Sequence, residues 1–165
     1  MRVLAYYHCP QTNEITGVVH FGPEAESHRG LCHGGAMTSL MDDVCGHIAF
    51  LYEGQAPWGG ATVQVDVSLK KPVRVGQVLR VVGRVVSFER RKMRIEATLD
   101  DGGGADSTVY AELRGLSIAG VRLSADEAHE GDVIATRTWE KVLARESEAR
   151  GVPRLVRQDS SWKTG

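Results

Sequence analysis

Residues 28–43 read HRGLCHGGAMTSLMDD, and two features of this stretch govern the reading of the chain. A glycine pair, Gly34 and Gly35, stands where a helix begins, and a carboxylate, Asp42, stands well inside it. From Gly34 to Tyr52 the apolar residues fall at Met37, Leu40, Met41, Val44, Ile48 and Leu51. That spacing is helical, and the run is too long for one ordinary strand. EGQAPWGG, with a proline and three glycines, ends the helix.

With residues placed at 100° intervals, Asp42 points roughly 150° away from the centre of the apolar stripe. Thr38, Ser39, Cys45, Gly46 and Ala49 share its side, and all are small. A solvated helix face usually carries Lys, Glu, Arg or Gln instead. Small side chains let another backbone come close, so this face is expected to meet a partner element; the plainer alternative is that Asp42 is a surface acid. Asp43 lies at the stripe's edge and reads as structural.

The glycine pair has its own logic. The first turn of a helix carries unpaired N–H groups and a positive dipole end, which attract developing negative charge. Glycine leaves no side chain between those donors and a ligand. Gly34 is therefore a candidate donor to a carbonyl oxygen becoming an oxyanion; a tight passage from loop to helix would account for the pair equally well. Gly34 and Asp42 are eight residues apart, about 12 Å along the axis, too far for one reaction centre to touch both. If both act on one bond, the Asp comes from a second copy of the chain. Two helices packed antiparallel on their small faces would make a dimer with two composite sites.

Around this helix the pattern is that of a sheet. Val3 to His8 and Ile15 to Phe21 are strand-like runs joined by the turn-rich PQTNE, and the loop GPEAESHRG leads to the helix. After it, Val63, Val65, Val67 and Leu69 alternate with Gln64, Asp66, Ser68 and Lys70, predicting a strand with one buried face. Val78 to Phe88, Met93 to Leu99 and Thr108 to Ile118 complete four strands, the last with a phase slip near Gly115 that predicts a bulge. The Gly102–Gly104 run sits between two strands with no following helix, so it reads as a hairpin turn rather than a phosphate loop. One long helix against one antiparallel sheet is an α+β layer architecture. The composition changes after Gly120. Residues 1–120 are read as the domain and 121–165 as an extension, partly helical or mobile, with one amphipathic helix around Trp139, Val142, Leu143 and Glu146.

The 165 residues, 42% apolar, suffice for one core. A formal net charge of −1 argues against nucleic acid or an anionic membrane as general partner. No apolar run approaches the ~20 residues of a membrane helix, and MRVLAYYHCPQTNE lacks a signal peptide's long apolar core. Three cysteines without a CxxC pair suit a reducing cytoplasm. His28, Cys32, His33, Asp42, Asp43 and His47 cluster in sequence, but their spacing lacks an HxxxH or CxxC pair, so no metal is expected.

HGGAMTSLMDD resembles the HGG-x6-D signature of hotdog-fold acyl-CoA thioesterases, in the phenylacetate-degradation and 4-hydroxybenzoyl-CoA-like branch. GVVHFGP before it and TVQVDVSLKKPVRVGQ after it are similar to that family's flanking strands, so the resemblance covers about residues 14–119. It implies a sheet wrapped around one central helix, and hydrolysis of an acyl-CoA without a cofactor, coenzyme A entering as part of the substrate. It implies that Gly34 polarises the thioester carbonyl, and that Asp42 of the facing subunit activates water or attacks as nucleophile. His33 would orient loop or substrate, and Thr62, ten residues before Pro72, would position water or Asp42. Thr62 shares the phase of Gln64 and Asp66 and is therefore placed off the apolar face. Gly35, Ser27, His28, Lys71 and Arg91 are the substrate-binding candidates, the basic ones for the phosphates of CoA. Many relatives carry Asn where this chain has Ser27, with His28 or Arg29 as possible substitutes. A non-catalytic acyl-CoA-binding or interaction module on the same fold is the alternative; a dehydratase would carry a different acid–histidine arrangement. Dimer and dimer of dimers both remain open, as does the acyl group.

Overall fold

The alternating runs become strands and the 3.6-residue run becomes the helix. A computed structural model describes residues 1–52 and 60–120. In chain order these form β1 (Arg2–Cys9), β2 (Glu14–His20), β3 (Glu26–His28), β4 (Leu31–Cys32), α1 (Gly34–Leu51), β5 (Gly60–Leu69), β6 (Val78–Glu89), β7 (Lys92–Asp100) and β8 (Val109–Ala119). Trp58 and the expected tail helix lie outside the described residues.

Six strands make one antiparallel sheet in the order β1-β2-β6-β7-β8-β5. Helix α1 lies on one face, against β2 and β5 through β8. The predicted stripe is the contact: Met37, Leu40, Met41, Val44 and Ile48 are all buried, together with Ile15, Phe21, Val81, Ile95, Leu99 and Leu113 from the sheet. Two glycines let the helix come close. A Cβ on Gly83 would lie 2.6 Å from Val44 Cγ1, and one on Gly115 would collide with Cys45 Sγ. Across the outer face, Glu14, Arg84, Glu96, Arg114 and Asp66 stand side by side on five adjacent strands, alternating in charge. That face is solvated, as one side of an antiparallel sheet commonly is.

Four expectations are corrected. The segment read as a plain loop before the helix contains the small hairpin β3–β4, closed at Gly30 (φ +78) by the Gly30 N–H donating to Glu26 Oε1. Cys45 and Ala49, assigned to the open side of α1, are buried in the core, because the glycines beneath draw that flank of the helix onto the sheet. The irregularity expected in β8 lies in its partner. Ala111, Leu113, Gly115 and Ser117 keep strict alternation toward the helix, while the register of β5 shifts between Thr62 and Gln64.

The fourth concerns β5. Val65, Val67 and Leu69 stand opposite Gly115, Leu113 and Ala111, so they do face the helix side. Yet β5 is the sheet's edge, and although α1 packs against it, Val65 stays 37% exposed and Leu69 49%. The apolar face exists, and at its edge the described residues leave it partly exposed.

The Cys45–Gly115 contact gives a stability prediction. Gly115→Ala should cost about 1–3 kcal/mol by overpacking, since both sides of the contact are buried. Adding Cys45→Ala should return much of it. Urea unfolding of the two single variants and the double variant would show this as a negative interaction energy.

Candidate active site

The first turn of α1 leaves four N–H groups to satisfy. His33 is the N-cap, extended at φ −66° and ψ 131°, and its Nδ1 accepts the Gly35 N–H at 2.8 Å. An imidazole accepting at Nδ1 carries its proton on Nε2. The N–H groups of Ala36 and Met37 donate to the His33 carbonyl at 2.9 and 3.4 Å. Gly34 is left: among the described residues its N–H has no acceptor. No acidic side chain sits in that first turn to offset the positive end of the helix dipole.

The two glycines therefore do different things. A Cβ on Gly35 would lie 2.7 Å from His33 Nδ1, so Gly35 makes room for the cap. A Cβ on Gly34 would lie 2.8 Å from Leu69 Cδ1, so the bare backbone there lets the end of β5 lie against the helix mouth. The preceding loop is held by backbone bonds, His33 N–H to Ala25 O at 2.7 Å and Cys32 N–H to Val73 O at 2.9 Å.

Asp42 projects to solvent and accepts no hydrogen bond from the described residues. Asp43 is engaged: it accepts the Tyr6 hydroxyl at 2.8 Å and lies 3.5 Å from His47 Nδ1. Adjacent acids are thus separated into one tied and one untied group. Neither nearby thiol is a ready nucleophile. Burial, with the charge of Asp42 added, pushes Cys45 up to about 12, and burial raises Cys32 as well. Among the described residues no three His, Cys, Asp or Glu side chains are placed to share a metal ion.

The other candidates divide into two places. Ser27 and His28 are exposed on β3 beside the helix mouth, and Lys71 is exposed just after β5, its N–H on the Tyr110 carbonyl at 3.2 Å. Arg74 joins them, bridged to Leu31. Thr62 lies far from this group, seven residues up β5 from Leu69, about 23 Å of strand. It pairs with Ser117, which is buried with no hydrogen-bond partner for its hydroxyl. The β-bulge reverses the phase beyond Gln64, so Thr62 faces the helix side and not the Gln64/Asp66 side as its spacing predicted. Arg91 is occupied differently: its Nε and Nη2 hold the carbonyls of Ala119 and Gly120, both at 2.9 Å. Sequence reading missed the cap function of His33, for which the signal was an acceptor two residues before an N–H. It also missed Leu69 at Gly34 and Tyr6 on Asp43, which no local pattern announces.

Residues 29–108 match the family model described as the thioesterase superfamily. The fold is the hotdog arrangement, seen in solved structures of low sequence identity. Thioesterase superfamily member 2 of zebrafish is 17% identical, with a TM-score of 0.59 over 72% of this chain and 80% of that one. A Streptococcus mutans protein bound to acetyl CoA is 17% identical, with a TM-score of 0.57 over 73% and 90%. A hypothetical thioesterase of Streptococcus pneumoniae with coenzyme A is 15% identical, with a TM-score of 0.58 over 74% and 88%. No curated protein matches the sequence.

If the imidazole cap holds the helix start, His33→Ala should cost about 1 kcal/mol of stability, while His33→Asn, which can also cap, should cost far less. Chemical denaturation of the two variants against wild type measures the difference.

Proposed function

We propose that this protein is an acyl-CoA thioesterase working as a homodimer, converting a thioester and water to a free acid and coenzyme A. One observation carries the reading. Helix α1 presents an unpaired N–H at Gly34 and an untied carboxylate at Asp42, about 12 Å apart along its axis, and its own sheet leaves the Asp42 face open. Neither group reaches the other's reaction centre within a chain. An antiparallel pairing of two helices on the face of Thr38, Ser39, Asp42 and Gly46 brings each Gly34 to the partner subunit's Asp42. The exposed parts of Val65 and Leu69 on the β5 edge supply apolar area for the same association.

In this site the Gly34 N–H stabilises the oxyanion as the carbonyl becomes tetrahedral. Asp42 takes a proton from water as its oxygen bonds to the acyl carbon, or attacks the carbonyl itself. The C–S bond then breaks and the thiolate of coenzyme A leaves, regaining a proton; where Asp42 has attacked, water then hydrolyses the acyl–Asp42 anhydride to the free acid. His33 holds the loop, and Thr62 positions the water or Asp42. Lys71 and Arg74, beside the helix mouth with Ser27, His28 and Gly35, suit the phosphates of coenzyme A; Arg91, holding two carbonyls, suits them less. The chemistry needs an electrophile and a base, so no metal or cofactor is invoked, and acyl-CoA as substrate agrees with a cytoplasmic location. The relatives bound to acetyl CoA and coenzyme A support the choice of thioester.

A panel of acyl-CoA thioesters with a free-thiol readout tests the activity. Wild type should hydrolyse at least one, and Asp42→Asn should lose about 10²-fold or more in kcat while staying folded. Hydrolysis of none of the panel, with acyl-CoA still bound, would establish the binding module instead. Gly34→Pro isolates the N–H. Proline is tolerated at the first helical position, and the extended His33 backbone suits a following proline. It should lose about 10²–10³-fold in kcat through the missing donor, whereas Gly34→Ala, which keeps the N–H, should lose much less.

Composite sites predict complementation. Reassorting Asp42→Asn chains with Gly34→Pro chains gives mixed dimers in which one site has both defects and the other has none. About half the dimers are mixed, so activity should return to about a quarter of wild type. No recovery would place Gly34 and Asp42 in the same chain's site.

A further inference from the structure

Tyr6 stands on the edge strand β1, yet its side chain serves the helix. Its ring covers Gly17, where a Cβ would fall 2.6 Å from Cε1, and it lies tilted against the His47 ring with centroids 4.7 Å apart. From there its hydroxyl donates to Asp43 Oδ2 at 2.8 Å. Burial and the bond to Asp43 raise the phenol well above its ordinary range, so it remains a donor at any working pH. The acceptor side chain is 45% exposed. A hydrogen bond to so exposed an acid adds little stability, which leaves its place in the chain as the notable fact: Asp43 directly follows Asp42.

Consecutive helix residues are about 100° apart on a rigid cylinder, so whatever fixes the azimuth of Asp43 fixes that of Asp42. Apolar packing, with Val44 over Gly83 and Cys45 over Gly115, seats the underside of α1, and the Tyr6 bond adds a directional contact outside that packing. A roll of about 10° moves a group ~6 Å from the axis by about 1 Å, and a misplacement of that size can cost ~10²-fold in rate. We propose that Tyr6, through Asp43, locks α1 against rotation about its axis and thereby positions the Asp42 carboxylate. Tyr6 is a positioning residue, and this inference rests on the thioesterase reading of Asp42.

The test is Tyr6→Phe in the full chain, which keeps the ring on Gly17 and His47 and removes the hydroxyl alone. With the best thioester of the panel, kcat should fall about 5–10-fold, KM should stay within about twofold, and the thermal midpoint should hardly move. Asp43→Asn, which still offers an acceptor, should keep kcat within about twofold, and Asp43→Ala should match Tyr6→Phe. The double variant Tyr6→Phe/Asp43→Ala should be no slower than either single one, because both remove one bond. A Tyr6→Phe enzyme with wild-type kcat, or singles whose losses multiply in the double, overturns the proposal. Amide hydrogen exchange over Met41 to Ile48 tests the lock without substrate. Faster exchange in Tyr6→Phe supports it and unchanged exchange overturns it. A wild type that hydrolyses no thioester defeats the thioesterase reading and leaves the exchange result to judge the lock.

Discussion

Six strands spaced about 4.8 Å apart make a sheet some 24 Å across, and a helix with its side chains is only about 10–12 Å thick. One helix therefore cannot cover this sheet, and the sheet cannot enclose the whole helix. The glycines at 83 and 115 set where the helix lies by letting Val44 and Cys45 down onto the strands. With α1 seated there, Val65 and Leu69 at the β5 edge stay partly exposed, and the flank carrying Asp42 stays open.

The helix mouth obeys a second constraint. Three of its four orphan N–H groups are absorbed, those of His33, Gly35 and Ala36 by the Ala25 carbonyl, the His33 imidazole and the His33 carbonyl. That leaves Gly34 as the donor without a partner among the described residues. A residue with a Cβ at position 35 would displace the imidazole, and one at position 34 would press on Leu69. The HGG triplet thus contains a cap, a donor and a clearance for the cap. Its anion-attracting character comes from geometry and from the helix dipole, with no charged side chain in the turn.

Legibility in the sequence followed the range of the interaction. The helix and all four strands after it were readable because apolar periodicity is a local pattern, and the untied acid stood out because its neighbours are small. The face of Thr62 was misread because one extra residue in β5 reverses every side chain beyond it, and nothing in TVQV announces the bulge. Cys45 and Ala49 were misassigned because their burial depends on Gly115, seventy residues away from the helix turn it accommodates. Arg91 looked like a free cation but holds the end of β8, and the bond of Tyr6 to Asp43 spans 37 residues. Such contacts have no sequence period.

What the sequence by itself determined is the set of elements, the apolar face of each, and the chemistry at the helix mouth, since these depend on residues within a few positions of one another. It also determined that Gly34 and Asp42 of one chain stand too far apart to share a bond, because helical rise is the same in every protein. Only the tertiary structure decided which apolar edge stays partly exposed, which of two adjacent acids is tied, and on which side of the sheet Thr62 points. Those outcomes depend on strand order, on a register shift, and on the reach of side chains brought together by folding.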